Sequence, residues 1–273
     1  SDSRSASFLT SIWNLPYKGM IAMAQPTGTS LLEIIGEDAS RKDLAVRRET
    51  KFVLPNADVG KFRRLLEGNG RRLVHNEPVS TVRSIYFDDP WFSDCQANMA
   101  GITPRNKVRL RWYDSPTPGT TVFLEIKWRD NRATGKHRME LRARESLSGV
   151  NYLDIYRELL KALPERYQPA LLRRCDPVVL VQYQREHFAS ADGRLRATLD
   201  YDLTFYNQIG KSRISTAFPN RMPEMFLVEV KCPEGDQREV QDMLHPMAPR
   251  QSPCSKYVHA CCQLGFASPQ NYH

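Results

Sequence analysis

Three Glu-x-Lys pairs stand out: Glu49/Lys51, Glu125/Lys127 and Glu229/Lys231. In an extended segment, residues of like parity share one face. Each glutamate therefore lies beside its lysine on one side of a strand. The same parity recurs around them. In Lys107-Val-Arg-Leu-Arg-Trp-Tyr113, Lys107, Arg109, Arg111 and Tyr113 oppose Val108, Leu110 and Trp112. Lys136, Arg138, Glu140 and Arg142 share a parity, as do Tyr183, Arg185 and His187, and Arg194, Arg196, Thr198 and Asp200. Like charges facing one another across strands are destabilising. A face with this many cations requires an anion or water to neutralise it. Arg offers planar bidentate contacts to phosphate and Lys a point charge. Interleaved Glu49, Glu125 and Glu229 are candidate ligands for Mn²⁺ or Mg²⁺, hard ions that take carboxylate oxygens and bridge to phosphates. The combination suits phosphoryl transfer, which needs positioning and charge neutralisation more than a covalent nucleophile.

The elements that would position these residues are short alternating segments at 47–54, 80–87, 106–113, 121–129, 136–143, 178–188, 194–202 and 225–231. Turn residues such as those of 115–119, 131–135 and 191–193 separate them. That is a hairpin-built antiparallel sheet. Amphipathic helices are expected at 56–67, 152–163, 236–244 and 255–264, and a short one near 30–35. The expected fold class is α+β, an antiparallel barrel or tunnel whose charged faces point inward and whose apolar faces pack on outer helices. Residues 1–40 read as an N-terminal extension, 41–267 as the tunnel domain and 268–273 as a tail.

Composition narrows the classes. The 273 residues carry 39 Lys+Arg against 31 Asp+Glu, a net charge of +8, which favours an anionic partner. No apolar run reaches the roughly 18 residues of a membrane span, and no basic-then-apolar N-terminal pattern marks a signal peptide. Six cysteines without a C-x-x-C pair suit reduced thiols and a cytoplasmic protein. The six histidines show no zinc spacing. There is no G-x-x-x-x-G-K-[ST] loop and no G-x-G-x-x-G. Asp88-Asp89-Pro90 reads as a strand-ending turn. Exposed aromatics interleaved with basic residues are sparse, which disfavours a nucleic-acid stacking platform.

In this order, Glu49-Thr-Lys-Phe52, Val82-Arg-Ser-Ile-Tyr-Phe-Asp88, Val108-Arg-Leu-Arg-Trp-Tyr113, Phe123-Leu-Glu-Ile-Lys127, Gln182-Tyr-Gln-Arg185, Arg194-Leu-Arg-Ala-Thr-Leu-Asp200, Leu227-Val-Glu-Val-Lys231 and Ser255-Lys-Tyr257 resemble the VTC-domain polyphosphate polymerases, a branch of the triphosphate tunnel metalloenzymes. The resemblance spans about residues 45–265. It implies a metal-dependent tunnel in which ATP gives its γ-phosphate to a growing polyphosphate chain. It implies that Lys51, Arg109, Arg111, Lys127, Arg185, Arg196 and Lys256 act on the phosphates. Lys136, Arg138 and Lys231 are further phosphate-binding candidates, and Glu229 is the implied metal carboxylate. Two other readings stand beside it: a triphosphate hydrolase of the same fold, and a non-catalytic binder of polyphosphate or RNA. Hydrolases of this fold usually open with Glu-x-Glu-x-Lys, whereas this chain has Arg47-Arg-Glu-Thr-Lys51. The missing carboxylate favours polymer synthesis.

Overall fold

The alternating segments form strands. In the computed structural model they are β1 (Leu32–Asp38), β2 (Arg47–Pro55), β3 (Arg71–Leu73), β4 (Ser80–Asp88), β5 (Arg105–Tyr113), β6 (Thr121–Asp130), β7 (Ala133–Ala143), β8 (Asp176–Ala189), β9 (Arg196–Asn207), β10 (Asn220–Met222) and β11 (Met225–Pro233). The structure describes residues 30–38, 47–75, 77–131, 133–233, 235–247, 249–252 and 254–268. Most of the expected extension and tail lie outside those residues. The helices are α1 (Val59–Gly68), α2 (Ser93–Met99), α3 (Tyr152–Ala162), α4 (Gln168–Leu172), α5 (Gln237–Leu244) and α6 (Lys256–Gln263).

All eleven strands join one antiparallel sheet in the order β1-β7-β6-β5-β4-β8-β9-β11-β2, with β3 on β8 and β10 on β9. The path is open: among the described residues, β1 and β2 end it without pairing to each other. The ends of the charged face nevertheless approach. Lys127 of β6 lies 3.9 Å from Glu49 of β2, although five strands separate them in the sheet. The sheet is therefore strongly curled, with this face on the inside.

Within the segment at 30–35, expected as a helix, residues 32–35 are the start of β1. Its residues pair with β7, where Leu32 opposes Ala143 and is buried. Edge pairing and burial override the weak local preference. The sheet thus begins inside the stretch that the sequence assigns to the extension.

The apolar parity meets the outer helices. Ile85, Val108, Leu110, Trp112 and Leu124 pack with Ile155 and Leu159 of α3 and Leu171 of α4. Phe52, Val228 and Val230 pack with Phe62 and Leu66 of α1 and Val240 and Leu244 of α5. The Asn151 side chain accepts from Leu153 N at 2.9 Å and caps α3.

Two helices depart from the expectation that all pack outside. Val82, Tyr86, Val181, Tyr183 and Leu227 have the parity of the charged face, and they cluster with Cys95 and Met99 of α2 and Tyr257, Val258 and Cys261 of α6. Tyr86 stacks on Tyr257 with centroids 5.0 Å apart. The inner face thus divides into a charged part and an apolar part, and the helices cover the apolar part because it cannot be left to water. Asp88 ties them down. Its carboxylate accepts from Asp94 N, Cys95 N and the Tyr257 hydroxyl. The segment before α6 runs along β2, with Ser252 N donating to Lys51 O at 3.0 Å and Gln251 bridging to Phe52. No disulfide joins the six cysteines.

Candidate functional site

Register aligns the charged residues in rows. Tyr86, Arg109, Glu125 and Arg138 stand abreast across β4, β5, β6 and β7. The next row is Lys107, Lys127 and Lys136. Across the curl, Thr198, Glu229 and Lys51 form one row and Arg196, Lys231 and Glu49 another.

The first network centres on Glu125, which is 1% exposed. Arg109 Nε donates to it at 2.6 Å and Lys136 Nζ at 2.7 Å, while Arg111 and Arg138 lie at 3.6 and 3.8 Å. Burial opposes ionisation, but Arg109, Arg111 and Lys136 hold this carboxyl well below the usual range. Arg109 Nη1 also donates to the Tyr86 hydroxyl at 2.8 Å, and Arg111 Nε to Ser84 Oγ at 2.9 Å.

The second network joins β2, β8, β9, β11 and α6. Lys256 Nζ lies 2.6 Å from Asp200 and 3.4 Å from Glu229. Arg185 makes two 2.6 Å hydrogen bonds to Asp200 and lies 3.9 Å from Glu229. Lys51 bridges Glu49 at 3.0 Å and Glu229 at 3.4 Å, and Lys231 is 3.4 Å from Glu49. Against the cost of burial, Lys51, Lys256 and Arg185 hold Glu229 well below the usual carboxylate range. Glu49, also opposed by burial, is brought to about 2, chiefly by Lys51.

Nine basic side chains, Lys51, Arg109, Arg111, Lys127, Lys136, Arg138, Arg185, Lys231 and Lys256, thus share four carboxylates, Glu49, Glu125, Asp200 and Glu229. The surplus is positive, and it is graded. Arg111, Lys256 and Asp200 are buried, whereas the side chains of Lys127, Lys136 and Lys231 are 40–50% exposed and form a rim. Arg196 is exposed at that rim, in register with Lys231, and among the described residues no ion pair ties it into the networks.

The thirteen residues singled out by parity and resemblance all lie on one face of the sheet or at the N-terminus of α6. Three others belong with them. Asp200 carries the parity of its strand, and only its two cations, Arg185 and Lys256, reveal its weight. Lys107 lies between the two networks; its Nζ donates to Ser255 Oγ at 2.8 Å. Burial lowers its ammonium to about 7, with Lys51 and Lys127 adding to the shift. Tyr183, whose ring lies 4.8 Å from Lys256 Nζ, shares the parity of Arg185 and His187 but carries no charge to mark it as part of the site.

The three glutamates are not equivalent. Glu125 stands apart from Glu49 and Glu229, and among the described residues no group of three or more His, Cys, Asp or Glu could hold a metal ion. Glu49 and Glu229, joined through Lys51, offer two carboxylates. That set cannot cage a metal alone. It does suit a hard divalent ion that takes one or two carboxylates and completes its shell with phosphate oxygens and water.

Residues 46–265 match the VTC domain, and the chain belongs to that family. Among solved structures it is similar to a putative adenylyl cyclase from Hippeastrum, described as having a dominant triphosphatase activity. The identity is 16%, covering 82% of this chain and 99% of that one, with a TM-score of 0.46. No curated protein matches. Membership of the family, the antiparallel sheet with its helices and a basic face suited to triphosphate chemistry agree with the sequence reading. Among the described residues, no helix is long and apolar enough to cross a membrane.

Proposed function

We propose that the chain is an ATP-dependent polyphosphate polymerase whose curled sheet acts as the phosphate-binding tunnel. The observation that carries this is the positive surplus: nine cations held around four carboxylates on one inner face. An isolated fold would gain nothing from gathering them, whereas a polyanion neutralises the row.

Arg109 and Arg111, braced by Glu125, Tyr86 and Ser84, present guanidinium groups to the phosphates from β5. Arg185 and Lys256, braced by Asp200, present a guanidinium and an ammonium from the opposite wall. The bracing fixes these groups before the substrate arrives, so little reorganisation accompanies reaction. Lys127, Lys136, Lys231 and Arg196 at the rim would draw in a polyanion and hold the growing chain. Glu229, with Glu49, would hold the divalent ion jointly with the triphosphate, and that ion would neutralise charge on the transferred phosphoryl group. With ATP bound, the terminal phosphate of the chain attacks the γ-phosphorus, the bond to the β-phosphate oxygen breaks, and ADP leaves.

Incubation of the purified protein with ATP and Mn²⁺, followed by gel separation and a phosphate assay, tests the reading. A ladder of phosphate polymer supports it. Release of orthophosphate without a ladder assigns the site to hydrolysis instead. No consumption of ATP or tripolyphosphate refutes both.

A further inference from the structure

Lys107 is unlike the other inner cations. No carboxylate among the described residues pairs with it. The groups around its Nζ are Lys51 on β2, Lys127 on β6, Arg105 and Arg109 on β5, and Ser255 with the Cys254 thiol on the segment entering α6. Ser255 is the N-cap of α6, its Oγ accepting from Val258 N, so the positive end of that helix also faces the lysine. In the register of β5, β6 and β7, Lys107 heads a row of three lysines with nothing negative in it. One of its three N–H donors is committed to Ser255, and two remain for a ligand.

We propose, building on the triphosphate-binding reading, that Lys107 is a phosphate ligand at the junction of the two networks and that it gains its proton as the anion binds. In the empty site, burial and surrounding cations favour the neutral amine. An oxyanion seated between Lys51, Lys107 and Lys127 reverses that balance and makes the ammonium the stable form. Binding then consumes a proton at neutral pH, and little or none near pH 5, where the lysine is already charged.

Calorimetric titration of the full chain with inorganic tripolyphosphate at pH 7.5, in two buffers of different ionisation enthalpy, tests this. The wild type should take up roughly 0.5–1 proton more than Lys107→Arg, because a guanidinium stays charged throughout. Lys107→Arg should keep most of the affinity. Lys107→Met should lose roughly tenfold or more and should also lack the extra uptake. The methionine variant should melt no lower than the wild type, since it removes a half-buried cation from among cations. If wild type and Lys107→Arg take up the same number of protons, or Lys107→Met binds as tightly as the wild type, the assignment of Lys107 is overturned and the tunnel reading survives. If the wild type binds no tripolyphosphate, the tunnel reading fails and this one fails with it.

Discussion

Lys256 and Asp200 form a buried ion pair, Nζ to Oδ2 at 2.6 Å, that joins the first turn of α6 to the middle of β9. Asp200 is fully buried and also holds Arg185. Taking one partner from such a pair leaves uncompensated charge in the interior. Asp200→Asn is expected to cost about 3–5 kcal/mol of stability, measured as a lowered urea midpoint with an unchanged slope. A loss below about 1 kcal/mol would mean that water screens this pair as it does a surface one.

Glu229 and Glu125 should respond differently to the same isosteric change. Glu229→Gln is expected to reduce turnover by roughly 10²–10³ and to shift its metal dependence, while tripolyphosphate binding falls less. Glu125→Gln should mainly destabilise the fold, by about 3–5 kcal/mol, because four cations lose their carboxylate. Turnover against Mn²⁺ concentration, beside denaturation of each variant, separates the two. Near-normal turnover in Glu229→Gln with wild-type metal dependence would make that carboxylate structural as well.

The site also sets a pH response of stability. Glu49, Glu125, Asp200 and Glu229 are held below their ordinary values in the folded state. Their stabilisation is present above the unfolded carboxylate range and is lost as pH falls through it; for Glu49 the window runs from 4.5 to about 2. Lys107, lowered from 10.5 to about 7, acts at the other end. The unfolded chain binds its proton more tightly, so its contribution to stability rises as pH climbs from 7 towards 10.5. Melting temperatures from pH 3 to 9 should fall steeply on the acid side. A flat acid limb would contradict the buried networks.

Gly135 lies under an indole. A Cβ built there would stand 2.3 Å from the Trp128 ring, whose Nε1 donates to His137 Nε2 at 3.3 Å. Gly135→Ala must move the ring and break that bond. The expected loss is about 1–3 kcal/mol, read from thermal unfolding. An unchanged melting temperature would show that the indole swings away freely.

The parity of charged and apolar residues made β5, β6 and β11 legible, and with them Arg109, Lys127 and Glu229. Parity is a local property, and the features it could not reveal are non-local. Opposite Gln182–Gln184 of β8, strand β9 spends three residues from Thr204 to Tyr201, and Asp202 there adopts a positive φ of 53°, so the count of two breaks within β9. The placing of α6 against the inner face could not be read from its amphipathic pattern, which says that a helix buries one side but not against which face of a sheet. Lys256 came from the family motif, not from periodicity. Ser93–Met99 escaped notice because its start is fixed by carboxylates of Asp88 and Asp89 accepting backbone N–H groups, a capping arrangement outside the helix itself.

The strand that carries Glu49 and Lys51 ends the sheet, and an unpaired strand edge is a template on which other chains can add. Here Ser252 N and the Gln251 bridge occupy part of that edge, immediately before the residues that deliver Ser255 and Lys256 to the site. One stretch of chain therefore shields a sticky border and supplies a working cation. Damage to it would do more than inactivate the protein: it would bare the Lys51–Phe52 backbone and turn a loss of activity into a tendency to self-associate.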